Sequence, residues 1–263
     1  MNYKSNKKSN KMKKILITGC NGNLAKTIIP VLIENNFYVI GCDIHDIDSI
    51  QTKGSVNLGL CKYFNCDLSE EADIIILMKK LKNEKSYPEY LINNAAIDFV
   101  PSEKKSENGL DMSNFDKILK VNVKAPILLS KLFIDYWRLN KMSGIILNIS
   151  SIYSKLSPDP KLYQSGFVKN ILYGITKSSL NSITEQLAVL TAKDGIRVNA
   201  VLFAGVERKD HDSDFIDKYT SRIPIGRFMK SKEIIDPILF LLSKNNTYAT
   251  GTLLKIDGGY SII

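Results

Sequence analysis

Histidine and cysteine are scarce in this 263-residue chain, and the scarcity narrows its chemistry. The two histidines, His45 and His211, lie far apart in sequence, and Cys20, Cys42, Cys61 and Cys66 lack paired metal-ligand spacing. A zinc centre would have to be gathered from scattered parts, so no metal is expected and the cysteines read as reduced, structural thiols. Long apolar runs are missing as well, none approaching the roughly 20 residues that a bilayer-spanning helix needs. The amino terminus is positively charged but has no apolar stretch behind it, so no secretion signal is read, and a cytoplasmic protein without membrane association is expected. Internal repeats and a Pro/Gly-rich linker are also absent, which leaves a single domain over residues 13–263.

What the chain has in excess is positive charge, a formal +9. Lys4, Lys7, Lys8, Lys11, Lys13 and Lys14 supply six of those charges at the very start. The basicity is therefore mostly a tail, and nucleic acid is not the expected partner. Residues 1–12 are Lys, Asn and Ser with almost nothing to bury, so a disordered basic tail is expected, with Met12 as an alternative start.

Beyond the tail, short β-branched runs alternate with longer amphipathic stretches. Strands are predicted at 14–18, 38–42, 61–65, 90–93, 144–149, 197–201 and 252–256. Helices are predicted at 24–34, 70–81, 113–139, 171–192, 211–221 and 231–242, where apolar residues return every third or fourth position. Alternation of this kind gives an α/β fold: a doubly wound parallel sheet of about seven strands, Rossmann-type, with helices on both faces. Such sheets bind ligands beyond the carboxyl ends of their strands.

The first predicted strand runs into Thr18-Gly19-Cys20-Asn21-Gly22-Asn23-Leu24-Ala25 and then a helix, where a dinucleotide pyrophosphate would lie on unpaired helix amides. Gly19 and Gly22 allow a tight turn and close backbone approach, and Ala25 is small enough for the helix to pack on the strand. Asp43, at the end of the second strand, lies 24 residues after Gly19, near the place of an acidic residue that accepts hydrogen bonds from the adenosine ribose. A carboxylate there repels a 2′-phosphate, and with Ile44 rather than Arg or Lys next to it, NAD is expected over NADP.

Tyr173-Gly174-Ile175-Thr176-Lys177 on a predicted helix looks like the Tyr-x-x-x-Lys signature of the short-chain dehydrogenase/reductase family. The order of the other features strengthens the resemblance: the glycine turn, Cys66-Asp67-Leu68, Asn93-Asn94-Ala95-Ala96, Asn122, Asn148-Ile149-Ser150-Ser151 and Asp257-Gly258-Gly259. An alcohol losing hydride must surrender a proton, and a ketone receiving hydride must take one, yet a free phenol titrates near 10. Lys177, one helical turn from Tyr173, is expected to favour the phenolate. By resemblance, Lys177 also holds the nicotinamide ribose, Ser151 rather than Ser150 positions the substrate oxygen, and Asn122 holds a water that connects Lys177 to solvent. The resemblance likewise places Asp67, Leu68, Asn93 and Ala95 on the adenosine half, with Asn21, Asn23 and Leu24 in the phosphate turn, and puts Val206 near the carboxamide. It also implies a homodimer or homotetramer.

Three departures from the family pattern stand out. Asn23 replaces the middle glycine of the turn, a pattern similar to the longer sugar-nucleotide epimerases, although the chain lacks the length for their added domain. Phe203-Ala204 replaces the customary Pro-Gly and Arg208 the customary Thr, ahead of a substrate lid expected near 207–223. The 22 residues from Ser151 to Tyr173 exceed the usual length, and Tyr153, Lys155, Lys161, Tyr163, Gln164 and Lys169 make that stretch polar and cationic. A hydroxyl-rich or phosphorylated small-molecule substrate suits it better than a steroid or acyl chain. With Gly226-Arg227-Phe228, the chain is similar to sugar dehydrogenases of flagellin-modification and nonulosonate pathways, which implies surface-glycan biosynthesis. A 3-oxoacyl-carrier or general carbonyl reductase and a non-catalytic dinucleotide sensor remain as alternatives.

Overall fold

The computed structural model describes residues 12–45, 59–84, 87–98, 109–163, 169–208 and 213–263. Most of the expected basic tail, together with Gln164, His211 and residues 209–212 of the expected lid, lies outside them. Seven strands, β1 (Lys13–Thr18), β2 (Phe37–Asp43), β3 (Cys61–Asn65), β4 (Tyr90–Asn93), β5 (Gly144–Ser151), β6 (Ile196–Phe203) and β7 (Leu253–Ile256), form one sheet. Every pairing is parallel and the order is β3-β2-β1-β4-β5-β6-β7. The connectivity reverses between β1 and β4, and there the carboxyl strand ends part to leave a crevice.

The helices are α1 (Asn23–Glu34), α2 (Glu71–Asn83), α3 (Phe115–Leu119), α4 (Ala125–Leu139), α5 (Ile171–Thr191), α6 (Ser213–Thr220) and α7 (Ile235–Leu242). Alternation along each strand serves two cores, because the helices cover both faces. Ile15 and Ile17 of β1 face Ile28, Ile29 and Leu32 of α1 and Ile238 and Leu241 of α7. Leu16 between them faces the opposite cluster, which contains Leu77 and Leu81 of α2 and Leu129, Phe133 and Trp137 of α4. A third, smaller cluster joins Leu162, Tyr219, Ile223 and Phe228 beneath the loops at the carboxyl edge.

The structure corrects several expected boundaries. β1 begins at Lys13, one residue before the expected start, and the Lys13 ammonium lies 5.2 Å above the ring of Phe37. The single helix expected at 113–139 is two helices joined by a π-helical turn at Lys120–Lys124. Hydrophobic spacing does not register the extra residue, since the apolar stripe resumes on α4. Strands β5 and β6 run two residues further than expected, to Ser151 and Phe203, which carries their side chains to the crevice. Among the described residues no helix is long and apolar enough to cross a membrane.

Candidate active site

Gly19 leaves β1 with φ +65°, and a Cβ there would meet the Ala95 Cα at 2.8 Å, so the turn and the segment after β4 touch through bare backbone. Thr18 ties the two together: its hydroxyl accepts the amides of Asn94 and Ala95, each at 3.0 Å. Gly22 caps α1 without a side-chain hydrogen bond, and a Cβ at Gly22 would come within 3.1 Å of the Gly19 carbonyl. The first-turn amides of α1 thus open onto a bare cradle, and no acidic residue occupies that turn to compete with an anion.

The Asp43 carboxylate accepts the backbone amides of Asn21 at 3.0 Å and His45 at 3.2 Å, which fixes it beside the glycine turn. Asp67 accepts from the Ser69 amide at 2.8 Å and the Ser69 hydroxyl at 2.7 Å. Burial pushes its pKa up, but these hydrogen bonds prevail and hold the carboxyl below its ordinary range.

Along the crevice runs a cleft of about 580 Å³, lined at one end by Asp43, Asp67 and Leu68 and at the other by Ser151, Tyr173 and Lys177. Gly19, Gly22, Asn23, Leu24, Ala95 and Val206 line the stretch between and around them. Three expected residues do not line it. Asn21 is turned aside, its amide on Asp43 and its side chain on the His45 carbonyl.

Asn93 is buried within the sheet, donating at 2.8 Å to Asn148, which in turn donates at 2.8 Å to Thr184 of α5. The Asn93 side chain thus braces β4, β5 and α5. Its neighbour Asn94 lines the cleft instead, donating to the carbonyls of Thr18 and Gly19.

Asn122 sits in the π turn and is 2% exposed. Its side chain accepts the Ile97 amide at 2.7 Å and donates to the Ile97 carbonyl at 2.9 Å and to Thr176 at 3.1 Å. It clamps the segment after β4 onto the turn of α5 that carries Tyr173 and Lys177. A widened turn at such a point is a recurrent feature of functional sites.

The two serines at the end of β5 have separate fates. Ser150 points into the interior and donates to Asn181 at 2.8 Å, whereas Ser151 lines the cleft beside Tyr173. Lys177 is 4% exposed, and its ammonium donates to the Ile149 carbonyl at 2.7 Å and lies 5.7 Å from the centre of the Tyr173 ring.

Burial pushes Lys177 down to about 8, against the pull of Asp98 in the other direction. Burial also pushes Tyr173 well above its ordinary value, Asp98 adds to the rise, and the Ser151 hydroxyl opposes both. Burial thus penalises the Tyr173 phenolate and the Lys177 ammonium alike. Asp98, which the sequence did not single out, lines the cleft and pairs at 2.7 Å with Lys169, and Lys169 lies 4.6 Å from the Tyr173 ring centre.

This arrangement fits a nicotinamide dinucleotide, with anion-binding amides and bare glycines at the turn, a carboxylate at the end of β2, and a phenol, a hydroxyl and an ammonium at the far end. A family model described as enoyl-(acyl carrier protein) reductase matches residues 19–261. An uncharacterized oxidoreductase of Thermotoga maritima is 31% identical over 95% of this chain and 98% of its own length. A short-chain dehydrogenase of Leptospira borgpetersenii with bound NAD+ superposes with a TM-score of 0.84 at 28% identity, covering 95% of this chain and 93% of the other. A 4-hydroxyisoleucine dehydrogenase complexed with NADH gives a TM-score of 0.79 at 27% identity, covering 95% and 99%. The chain belongs to the short-chain dehydrogenase/reductase family and is, with it, an oxidoreductase acting on CH–OH groups.

Proposed function

We propose that this chain interconverts an alcohol and a ketone with NAD as its dinucleotide, acting in the cytoplasm on a polar small molecule. The observation that supports this reading most is the convergence of Ser151, Tyr173 and Lys177 at the end of a cleft whose other end is Asp43. Gly19, Gly22 and the first-turn amides of α1 would hold the pyrophosphate, and Asp43 the adenosine ribose. When bound, the nicotinamide supplies or accepts the hydride.

The chain's own residues handle position and proton. Ser151 would hydrogen-bond the substrate oxygen and hold it toward Tyr173. The Tyr173 hydroxyl would exchange the proton, giving it to a ketone or taking it from an alcohol. Lys177, fixed by the Ile149 carbonyl, would place its remaining donors on the nicotinamide ribose. Asn122 acts through the backbone it clamps, holding α5 against the segment after β4.

A polar substrate is supported by the Asp98–Lys169 pair beside Tyr173, since a charged wall disfavours a steroid or acyl chain. Of the cations between β5 and α5, Lys155 and Lys161 are exposed, while Lys169 lies against the Tyr173 ring. A sugar-like or phosphorylated substrate of surface-glycan synthesis is the form of this reading that the sequence resemblance suggests. The description of the matching family favours a second reading, a 3-oxoacyl-carrier reductase.

A panel of sugar phosphates, nucleotide sugars, hydroxy acids and 3-oxoacyl thioesters, followed by absorbance of reduced nicotinamide, separates the two. Turnover of a polar alcohol or ketone with NAD(H) supports the first reading; turnover confined to the thioesters with NADPH replaces it with the second. Replacing Asp43 with Ser and Ile44 with Arg should lower the preference for NADH over NADPH at least tenfold. An unchanged ratio of kcat/KM would assign ribose recognition to another residue.

A further inference from the structure

The Asp98 carboxylate stands in the cleft near the buried phenol and opposes its ionisation. It is held at 2.7 Å by Lys169, which the segment before α5 delivers to the site. The side chain of Lys169 is 15% exposed and its ammonium lies 4.6 Å from the ring centre of Tyr173 and 5.6 Å from that of Tyr153. We propose that Lys169 is a positioning residue: by holding the Asp98 charge and lying on the ring of Tyr173, it governs how readily that phenol gives up its proton.

The geometry carries this through two effects of the same sign. Pairing offsets part of the field that Asp98 places on the phenolate, and a cation at a ring face is itself attracted to the electron-rich ring, most of all when the ring is ionised. The other groups facing Tyr173 come from separate elements: Ser151 from β5, Lys177 from the next turn of α5 and Tyr219 from α6. None of these neutralises Asp98 in the way Lys169 does, and the burial that raises the phenol also strengthens every charge effect on it.

The proposal rests on Tyr173 being the proton-transfer group. Its test reads the phenol directly and needs neither substrate nor dinucleotide. Fluorotyrosine incorporated throughout the chain brings phenol titration toward neutral pH, and fluorine NMR of the Tyr173→Phe protein identifies the Tyr173 signal among the 12 tyrosines.

The Tyr173 midpoint should rise by about one pH unit, tenfold in proton affinity, in Lys169→Met and fall in Asp98→Asn. Lys169→Arg should keep the wild-type midpoint, and the Lys169→Met/Asp98→Asn double variant should return close to it. Should Lys169→Met fail to fold, Lys169→Gln removes the same charge. A Lys169→Met midpoint equal to the wild type, or a double variant that retains the whole shift, overturns the proposal. A protein that shows these shifts but never turns over any alcohol or ketone would instead remove the enzymatic reading.

Discussion

At the scale of single residues, Lys177 shows what burying a charge does. Its folded pKa of about 8 lies below the ordinary 10.5, so between those values the unfolded chain binds more protons than the folded one. Stability contributed by such a group is fully present above the unfolded value and is lost as pH falls through the folded one. Urea unfolding of wild type and Lys177→Met should therefore give a stability difference that moves in favour of wild type as pH rises from about 8 to about 10.5. A flat or opposite trend would mean that the ammonium is better solvated than its 4% exposure implies.

Residue identity was legible from the sequence where a motif fixes a type, as at Tyr173, Lys177 and Ser151. Orientation was less so. Asn93 and Asn94 are adjacent and chemically identical, and only the strand's alternation sends one amide into the sheet toward Asn148 and the other to the cleft. The Asp98–Lys169 pair spans 71 positions in sequence, so no local signal could announce it.

At the scale of elements, the entry from β1 into α1 carries the strongest constraint. Gly19 combines a positive φ with the 2.8 Å approach to Ala95, so Gly19→Ala must shift either the turn or the segment after β4. We expect a loss of about 1–3 kcal/mol of stability, with weaker NADH binding by fluorescence titration. An unaltered Tm together with unaltered affinity would show that the turn yields freely.

Element order and type followed from periodicity, because strands buried on both faces and amphipathic helices have distinct spacings. The π turn did not follow, since it inserts its extra residue where Asn122 needs to reach both Ile97 and Thr176. Its cause is a tertiary hydrogen-bond set, which local propensity does not encode.

At the scale of the whole molecule, the sheet order brings Asp43, Asp67, Ser151, Tyr173 and Lys177 to one crevice, although they come from all along the chain. The segment between β5 and α5 and the region of α6 pack on each other there. Tyr163 stacks on Phe215 with ring centres 5.6 Å apart, and Arg222 pairs with Asp159. Away from the crevice, α4 exposes Ile127 and α5 exposes Ile171, Ile175 and Val189. Light scattering should give the mass of a dimer or tetramer, and a monomer throughout the micromolar range would contradict that expectation.

The measurement that bears most directly on the account is a comparison of wild type with Tyr173→Phe on whichever alcohol or ketone the panel identifies. Turnover should fall by a thousandfold or more, about 4 kcal/mol of transition-state stabilisation, while the dissociation constant for NADH stays within a few-fold of wild type. Turnover in Tyr173→Phe within tenfold of wild type would show that the proton travels by another group.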